Sequence, residues 1–281
     1  MLLKKNIKLA KTSDLIIEVT MKYFIFLLLL LTLTACRKEN LNDIENMPYA
    51  SMPPPGYTLV WADEFDSPLL DAKKWNHRAP GFRRESFNGK EPVYVDTTEG
   101  ALVINTFSRG DTVYTGMIST QGLFEAKHGY FECRAKIDTI FAGYWPAFWL
   151  QSRNIGKTLN PEVDGVEMDI MEFYNGNRFV LENALHWNGY GENQATLSNA
   201  VYSNTPYDEG RYHRYGMEWT ENELRFFVDN RLIWVVKEPI SKMEQYIILS
   251  TEVNNAALFK AVAGSGIKFY VDYVRVYAKD E

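Results

Sequence analysis

Cysteine is scarce in this chain, which has only two in 281 residues. Cys36 ends an apolar run near the N-terminus, and Cys133 lies in a strand-like segment where it shares a face with apolar neighbours. Cys133 is therefore predicted to be a small buried core residue and not a nucleophile. No cysteine and histidine residues have the spacing of a zinc site, and modification of Cys36 would leave Cys133 without a disulfide partner.

Basic clusters, long apolar runs and helical periodicity are also lacking. The net charge is −6, and lysine and arginine do not cluster beyond the N-terminus, which argues against a nucleic-acid partner. No segment keeps a helical pattern for three turns, so at most one short helix is predicted, at Pro239 to Gln245. Aromatic residues make up 14% of the chain, as expected of an aromatic-rich β core.

The apolar run near the N-terminus is too short to span a membrane. It follows Lys22 and ends in LTAC at residues 33–36, which resembles the lipobox of bacterial lipoproteins. Residues 1–36 are interpreted as a lipoprotein signal segment, with Cys36 lipidated and the protein tethered to a membrane of the bacterial cell envelope, at the outer membrane or cell surface. Cleavage by ordinary signal peptidase is the alternative. Initiation at Met21 would remove the preceding residues, whereas initiation at the first residue would give a long basic leader.

Residues 37–56 are polar and then proline-rich, which predicts a semi-rigid spacer. The rest of the chain, 57–281, shows no second boundary and is predicted to be one monomeric domain. Short strand patterns alternate there with polar turns, including a two-residue hairpin turn at Asp229-Asn230. Besides an acidic strand near residue 170, the predicted strands are 57–65, 92–95, 101–107, 113–120, 129–137, 144–151, 180–187, 212–219, 224–228, 232–236, 246–252 and 267–277. They predict an all-β fold, a jelly-roll β-sandwich of two antiparallel sheets.

The most informative segment is Val166 to Phe173, which places three carboxylates within six residues. Because side chains alternate along a strand, Glu167 and Asp169 share one face. Glu172 has the wrong parity and would point into the core, where an unpaired carboxylate is very costly. A β-bulge of one extra residue, at 170 or 171, returns Glu172 to the carboxylate face. The pattern therefore predicts a bulged strand with three acids on one wall.

Other strands carry polar or aromatic side chains on the same kind of face. Trp145 and Trp149 share a face, and indole rings on a solvated sheet suit stacking on sugar rings, although packing in the core is the alternative. A lone histidine in a strand is more often structural, but the neighbouring acids favour a substrate-contacting or acid-orienting His186. Ser250 and Glu252 share a polar face and are further candidates for a cleft.

The acidic strand resembles the bulged Glu-x-Asp-x-x-Glu signature of glycoside hydrolase family 16. Further blocks follow in the family's order, namely WADEFD at 61–66, GYFE at 129–132, WPAFWL at 145–150 and VDYVRVY at 271–277. The resemblance covers residues 57–278. It implies a jelly roll with a concave substrate cleft and an endo-acting, retaining β-glycoside hydrolase that acts on a β-linked polysaccharide by double displacement.

The resemblance also implies a role for each acid. Glu167 would be the nucleophile, Glu172 the acid/base, and Asp169 would position and polarise the nucleophile. Three carboxylates on one wall cannot all ionise easily, so one pKa is expected to rise. No cofactor is required, and a structural calcium on the convex side, which the family sometimes binds, would have Asp272 as a candidate ligand.

One block departs from the laminarinase-like members, because GFRRESFNG at 81–89 replaces their Asn-x-Glu-x-Gln-x-Tyr type of stretch. Arg83 or Arg84 is therefore predicted to contact a differently oriented hydroxyl, an N-acetyl group or an anionic substituent. Tyr190, in the loop 186–191, is predicted to add a wall to the cleft. The substrate stays open between β-1,3-glucan and a β-galactan or galactose-containing host glycan.

A carbohydrate-binding protein and a calcium site are the two alternatives to a glycosidase. A non-catalytic carbohydrate-binding jelly-roll lipoprotein is expected to lose at least one acid, whereas this chain keeps all three. A calcium site made from the acidic strand lacks the loop geometry and carbonyl donors that calcium usually gathers.

Overall fold

The computed structural model describes residues 42–280, where the chain forms nineteen strands and two short α-helices. The strands are β1 (Asn42–Asp43), β2 (Tyr57–Asp63), β3 (Asn76–His77), β4 (Gly81–Arg83), β5 (Ser86–Asn88), β6 (Val93–Asp96), β7 (Ala101–Arg109), β8 (Thr112–Thr115), β9 (Met117–Ser119), β10 (Gly129–Ile137), β11 (Tyr144–Gln151), β12 (Glu167–Glu172), β13 (Val180–Trp187), β14 (Ala195–Tyr202), β15 (His213–Trp219), β16 (Leu224–Val228), β17 (Arg231–Val236), β18 (Tyr246–Val253) and β19 (Ile267–Lys279). The helices are α1 (Pro161–Asp164) and α2 (Ala256–Val262), and a 3-10 turn covers Ile44–Asn46. None of the helices in this range has the length and apolar character needed to cross a membrane. The predicted signal segment with Cys36 lies outside the described residues.

The strands form two sheets that enclose the apolar core. One has eight strands in the order β1-β14-β13-β12-β11-β18-β9-β3. The other follows the path β17-β16-β15-β10-β19-β7-β8-β5-β4, with β2 paired to β19 and β6 to β7. Neighbouring strands are antiparallel, apart from β1 with β14 and β5 with β8. The arrangement confirms the predicted jelly-roll β-sandwich.

Alternation along the strands separates core residues from those of the outer faces. In β11, Phe148 and Leu150 are fully buried between the sheets, while Trp145 and Trp149 face the other side. Cys133 in β10 is also fully buried, and burial raises the pKa of its thiol well above the ordinary value. The prediction of an inert core cysteine is therefore confirmed.

One predicted turn is confirmed, and one predicted strand is divided in two. The hairpin turn at Asp229-Asn230 is confirmed, because these residues join β16 to β17 with φ angles of 47° and 67°. The predicted strand 113–120 is instead two strands, since β8 pairs with β7 and β9 pairs with β18. The chain changes sheets at Gly116, where a Cβ would lie 2.5 Å from a methyl carbon of Val93.

The helix predicted at Pro239 to Gln245 is wrong. Gln245 exchanges two backbone hydrogen bonds with Ala126, at 2.9 and 3.0 Å. Its buried side-chain amide accepts from the Val166 N–H at 3.2 Å and donates to the Val166 carbonyl at 2.6 Å. These tertiary bonds fix Gln245 in an isolated bridge to Ala126, and residues 239–244 form bends and irregular structure. The helices that do form each begin after an asparagine whose side chain accepts a hydrogen bond from the first turn.

Part of the segment that was interpreted as a spacer, 37–56, contacts the sandwich. β1 pairs with β14, and Ile44 is buried. The Arg231 guanidinium donates to the backbone carbonyls of Ile44, Glu45 and Met47 at 2.9, 2.8 and 3.2 Å. β1 is therefore the edge strand of the eight-stranded sheet, and residues 44–50 contact β17 and the turn before it, at the edge of the other sheet.

Candidate active site

A cavity of about 1040 Å³ lies over the outer face of the eight-stranded sheet. Five neighbouring strands, β18, β11, β12, β13 and β14, contribute its lining, and four strand spacings of about 4.8 Å make it roughly 19 Å across. The central strand, β12, supplies three carboxylates: Glu167, Asp169 and Glu172. The five residues predicted to contact substrate line the same cavity: Arg84, Trp145, Trp149, His186 and Tyr190.

A β-bulge in β12 places the three carboxylates on the same face of the strand, as the alternation of side chains predicts. Met171 and Asp169 oppose consecutive residues of β11, so Ile170 is the extra residue. The Ile170 carbonyl accepts a 2.7 Å hydrogen bond from Nδ2 of Asn183, whose side chain is buried in β13. Ile170 and Met171 both point into the core, and Glu172 returns to the cavity.

Glu172 is almost completely buried, and its Oε1 accepts a 2.8 Å hydrogen bond from Nε1 of Trp145. Burial, followed by the charge of Glu167, raises the pKa of Glu172 to about 8, and the hydrogen bond from Trp145 offsets part of the rise. A carboxyl group with such a pKa keeps its proton at neutral pH, which is what a general acid must do.

Glu167 accepts more side-chain hydrogen bonds than Glu172 does. Its Oε2 accepts hydrogen bonds from Nε2 of Gln151, at 2.9 Å, and from the hydroxyl of Tyr190. Burial raises the pKa of Glu167 above its ordinary value, and the bonds from Tyr190 and Gln151 and the charge of Arg78 offset part of the rise. Donors to a carboxylate favour its ionised form, so the two glutamates have environments suited to different protonation states.

Asp169 lies between the glutamates and is buried. Burial, and then the charges of Glu172 and Glu167, raise the pKa of Asp169 well above its ordinary value. Its Oδ2 is 3.4 Å from Nε2 of His186, whose Nδ1 lies 2.8 Å from the hydroxyl of Thr196. Burial lowers the pKa of His186, which favours a neutral imidazole. His186 therefore lies beside Asp169 and lines the cavity, and its role, substrate-contacting or acid-orienting, stays a prediction.

One flank of the cavity is built from arginine and aromatic side chains. Arg83 Nε lies 2.6 Å from Oε1 of Glu252, and Arg84 pairs with the other oxygen of the same carboxylate. The Arg84 guanidinium also covers the ring of Trp145, at 4.3 Å from its centroid, while Tyr174 packs edge-on at 4.7 Å. Trp145 is thus a cleft residue with one ring face covered. Two guanidinium groups on one carboxylate leave positive charge on this flank.

Trp149 is also on the cleft side and not in the main core. It packs on a small apolar cluster that contains Tyr246 and Ile248, and its Nε1 donates to the Ser250 hydroxyl at 3.0 Å. Ser250 and Glu252 both line the cavity, which confirms that their polar face borders the cleft.

The opposite flank is polar and uncharged, and the sequence did not predict it. β14 brings Thr196, Ser198 and Asn199 to the cavity. Its strand pattern is weak because polar residues, Thr196, Ser198 and Asn199, occur on both faces and Leu197 is exposed. Arg78 and Gln151 were also missed, since neither carries a local signal and both reach the site through long-range contacts.

In the described part of the chain, the groups that could bind a metal ion do not form a typical calcium site. Within residues 42–280, the one cluster of three potential ligands is Glu167, Asp169 and His186, with ligand atoms within 4.8 Å of one another. Calcium usually takes six to eight oxygen ligands, including loop carbonyls. Asp272 lies elsewhere, accepts a 2.6 Å hydrogen bond from Arg134 and borders a cavity of about 550 Å³ that contains further arginines. A structural calcium at Asp272 stays a prediction.

Comparison with known proteins agrees with the fold. Two buried glutamates in a cleft across a sandwich sheet are typical of glycoside hydrolases. A family model described as "Beta-porphyranase A-D, GH16 domain" matches residues 59–279. The chain therefore belongs to glycoside hydrolase family 16.

Curated relatives include both galactan- and glucan-degrading enzymes. The chain is 31% identical over 238 residues to the keratan-sulfate endo-1,4-beta-galactosidase of Sphingobacterium multivorum, covering 79% of this chain and 55% of that protein. It is 29% identical over 194 residues to a beta-glucanase of Rhodothermus marinus, covering 64% and 65%. The chain thus spans about half to two thirds of the length of these relatives.

Solved structures show the same fold. The laminarinase of Flavobacterium sp. UMI-01 superposes with a TM-score of 0.64 at 27% identity, over 79% of this chain and 100% of that one. The laminarinase catalytic domain of Thermotoga maritima MSB8 superposes with a TM-score of 0.65 at 26% identity, over 80% and 99%.

Proposed function

We propose that this chain is an endo-acting, retaining β-glycoside hydrolase that cleaves internal β-galactosidic bonds of a galactose-containing polysaccharide. The observation that carries the proposal is the contrast between two glutamates on one strand. Burial and a neighbouring charge raise the pKa of Glu172 to about 8. Glu167 instead accepts hydrogen bonds from Gln151 and Tyr190, which favour its carboxylate.

In the first step of the proposed mechanism, the Glu167 carboxylate attacks the anomeric carbon while Glu172 gives its proton to the leaving glycosidic oxygen. The bond to the leaving sugar breaks, and a glycosyl ester forms on Glu167. Because the ester is neutral, the Glu167 charge that helps to raise the pKa of Glu172 disappears. Glu172, now ionised, takes a proton from water as the water oxygen attacks the anomeric carbon and releases Glu167. Asp169, buried between the two, is assigned the role of positioning and polarising the nucleophile.

The cavity supports attack on internal bonds. Binding groups lie on both sides of the carboxylates, with Arg83 and Arg84 on one flank and Thr196 and Ser198 on the other. A groove that holds sugar units on both sides of the cleaved bond suits an endo-acting enzyme.

The galactan assignment is supported by the arginine flank and by the relatives. Arg83 and Arg84 fall in the stretch that departs from the laminarinase-like pattern, and their guanidinium groups suit an anionic or differently oriented substituent. The matching model is porphyranase-type, and one relative is named a keratan-sulfate endo-galactosidase. β-1,3-Glucan is the second candidate, because laminarinases share the fold.

A panel of polysaccharides tests the proposal. Porphyran, keratan sulfate, agarose, arabinogalactan, mucin-type glycans, laminarin and lichenan are digested and the products sized. The expected result is an oligosaccharide ladder from a galactose-containing substrate. Glu167→Gln and Glu172→Gln should each remove nearly all hydrolysis, by about 10²–10⁴-fold for the acid/base, while the fold and oligosaccharide binding remain. A ladder from laminarin alone would overturn the galactan assignment. Binding without any cleavage would favour a non-catalytic carbohydrate-binding lipoprotein.

We also propose that Cys36 carries a lipid anchor that tethers the protein to the bacterial cell envelope. The LTAC sequence at residues 33–36 supports this assignment. Labelling of cells with a palmitate analogue should mark the wild-type protein and should fail for Cys36→Ala. Label on the alanine variant, or none on the wild type, would contradict lipidation.

A further inference from the structure

We infer that Gln151 and Arg78 form a positioning relay that fixes the orientation of the Glu167 carboxylate. The inference rests on the proposed hydrolase function, in which Glu167 is the attacking group. Gln151 contacts Oε2 of Glu167 and Arg78 contacts Gln151, so both position the carboxylate and neither attacks the substrate.

The Gln151 amide is buried and uses all of its hydrogen-bonding capacity. Its Oε1 accepts from the Tyr246 hydroxyl at 2.5 Å and from the Arg78 guanidinium. Its Nε2 donates to Glu167 Oε2 at 2.9 Å and to the Tyr190 hydroxyl. Two donors and two acceptors thus surround a side chain that is 5% exposed.

Arg78 determines which way this amide faces. A guanidinium group can only donate, so the Gln151 atom beside Arg78 must be the carbonyl oxygen. The amide nitrogen is then turned toward Glu167. The reverse orientation would place two donors against each other at Arg78 and two acceptors against each other at Glu167, which is unfavourable for buried groups.

Arg78 is itself held in place. Its backbone N–H donates to the Met117 carbonyl at 2.9 Å, and the buried Asn88 amide donates to the Arg78 carbonyl at 2.6 Å. The guanidinium carbon lies 5.7 Å from the ring centroid of Trp149 and 5.3 Å from that of Tyr246. The relay therefore connects Glu167 to the rigid body of the sandwich.

The relay has two consequences for Glu167. Donors from Gln151 and Tyr190 converge on Oε2, which restrains rotation of the carboxylate and assigns the attack to Oε1. The charge of Arg78 also favours the ionised carboxylate, since it lowers the pKa of Glu167. Loss of the relay is expected to affect turnover and the acidic limb of the pH profile more than substrate affinity.

Four variants test the relay: Gln151→Met, which has a similar volume, Arg78→Met, Arg78→Lys and the double methionine variant. The methionine variants should each lose roughly 10–100-fold in kcat with little change in KM, and the acidic limb of kcat/KM should move to higher pH. Arg78→Lys should recover part of both effects, and the double variant should lose less than the product of the single losses. Arg153→Met is the matched control, because Arg153 lies close to Gln151 in sequence but pairs with Glu125 outside the cavity.

Unchanged kcat and pH profiles in both single methionine variants would overturn the relay, and so would a loss confined to KM. Circular dichroism and thermal unfolding establish that each variant is folded. A carboxyl ¹³C NMR titration of Glu167 in the substrate-free protein separates this inference from the proposed function. Its pKa should rise in Arg78→Met and Gln151→Met whether or not the wild type hydrolyses a given glycan. A Glu167 pKa that stays at the wild-type value in both would overturn the relay without bearing on hydrolysis.

Discussion

The indole N–H of Trp145 donates a 2.8 Å hydrogen bond to Glu172, and the Arg84 guanidinium covers the same indole at 4.3 Å. A ring at the edge of the cleft therefore contacts both the candidate general acid and the arginine flank. Trp145 thus links the arginine flank to the candidate general acid.

Replacing Trp145 by phenylalanine should raise the pKa of Glu172, because the indole hydrogen bond lowers it. The alkaline limb of kcat/KM, which we assign to deprotonation of Glu172, should then move to higher pH. Trp149→Phe is the control, since the Trp149 N–H donates to Ser250 at 3.0 Å. A limb that stays in place or moves to lower pH in Trp145→Phe would contradict the assignment of Glu172.

Removal of the Glu172 charge should stabilise the protein at high pH. Its folded-state pKa, about 8, lies above the ordinary value of 4.5, so the folded protein binds this proton more tightly than the unfolded chain. The resulting stability is present at low pH and is lost as the pH rises toward 8. Glu172→Gln should be more stable than wild type by roughly 1–3 kcal/mol at pH 9 and by much less at pH 4. Urea unfolding at the two pH values checks this, and a difference independent of pH would contradict it.

Asn183→Ala should destabilise the bulge. The change removes the 2.7 Å hydrogen bond to the Ile170 carbonyl and leaves a buried acceptor unpaired, at a cost of about 1–3 kcal/mol. Turnover should fall as well, because the bulge places Glu172. Asn199→Ala is the comparison for stability, since Asn199 makes only a 3.4 Å contact with Asn183. Equal unfolding free energies of the two variants would show that the Asn183 bond does not support the bulge.

Arg84→Met should weaken binding of an anionic galactan. Methionine retains apolar contact with Trp145 but removes one of the two guanidinium groups beside Glu252. KM should rise by about tenfold for a sulfated galactan, with a smaller change for neutral agarose, because charged hydrogen bonds are stronger than neutral ones. Arg109→Met, at an exposed pair with Glu91, is the control. Equal changes for both polysaccharides would rule out recognition of an anionic group.

The central strand could be predicted from sequence because its constraint is local. Alternation and the cost of burying Glu172 require an extra residue, and the structure places it at Ile170. The sandwich and the hairpin at Asp229-Asn230 follow from equally local signals. The failure at Pro239 to Gln245 has a tertiary origin, since Gln245 bonds to distant chain segments that a local pattern does not reveal.

The support around Glu167 could not be predicted for the same reason. Gln151 contacts Arg78 and Tyr246, which are 73 and 95 residues away in sequence. Their pairing depends on the register between β11 and β18, where Gln151 is opposite Tyr246. The β14 flank escaped prediction because exposed polar residues in an outer strand leave little alternation to detect.

Retention with Glu167 as nucleophile and Glu172 as acid/base is the central claim, and the anomeric form of the first product tests it most directly. A galactan oligosaccharide is hydrolysed by the wild-type protein while ¹H NMR follows the anomeric protons before mutarotation equilibrates them. A double displacement predicts that the β-anomer appears first and the α-anomer grows in later. An α-anomer as the first product would contradict the mechanism.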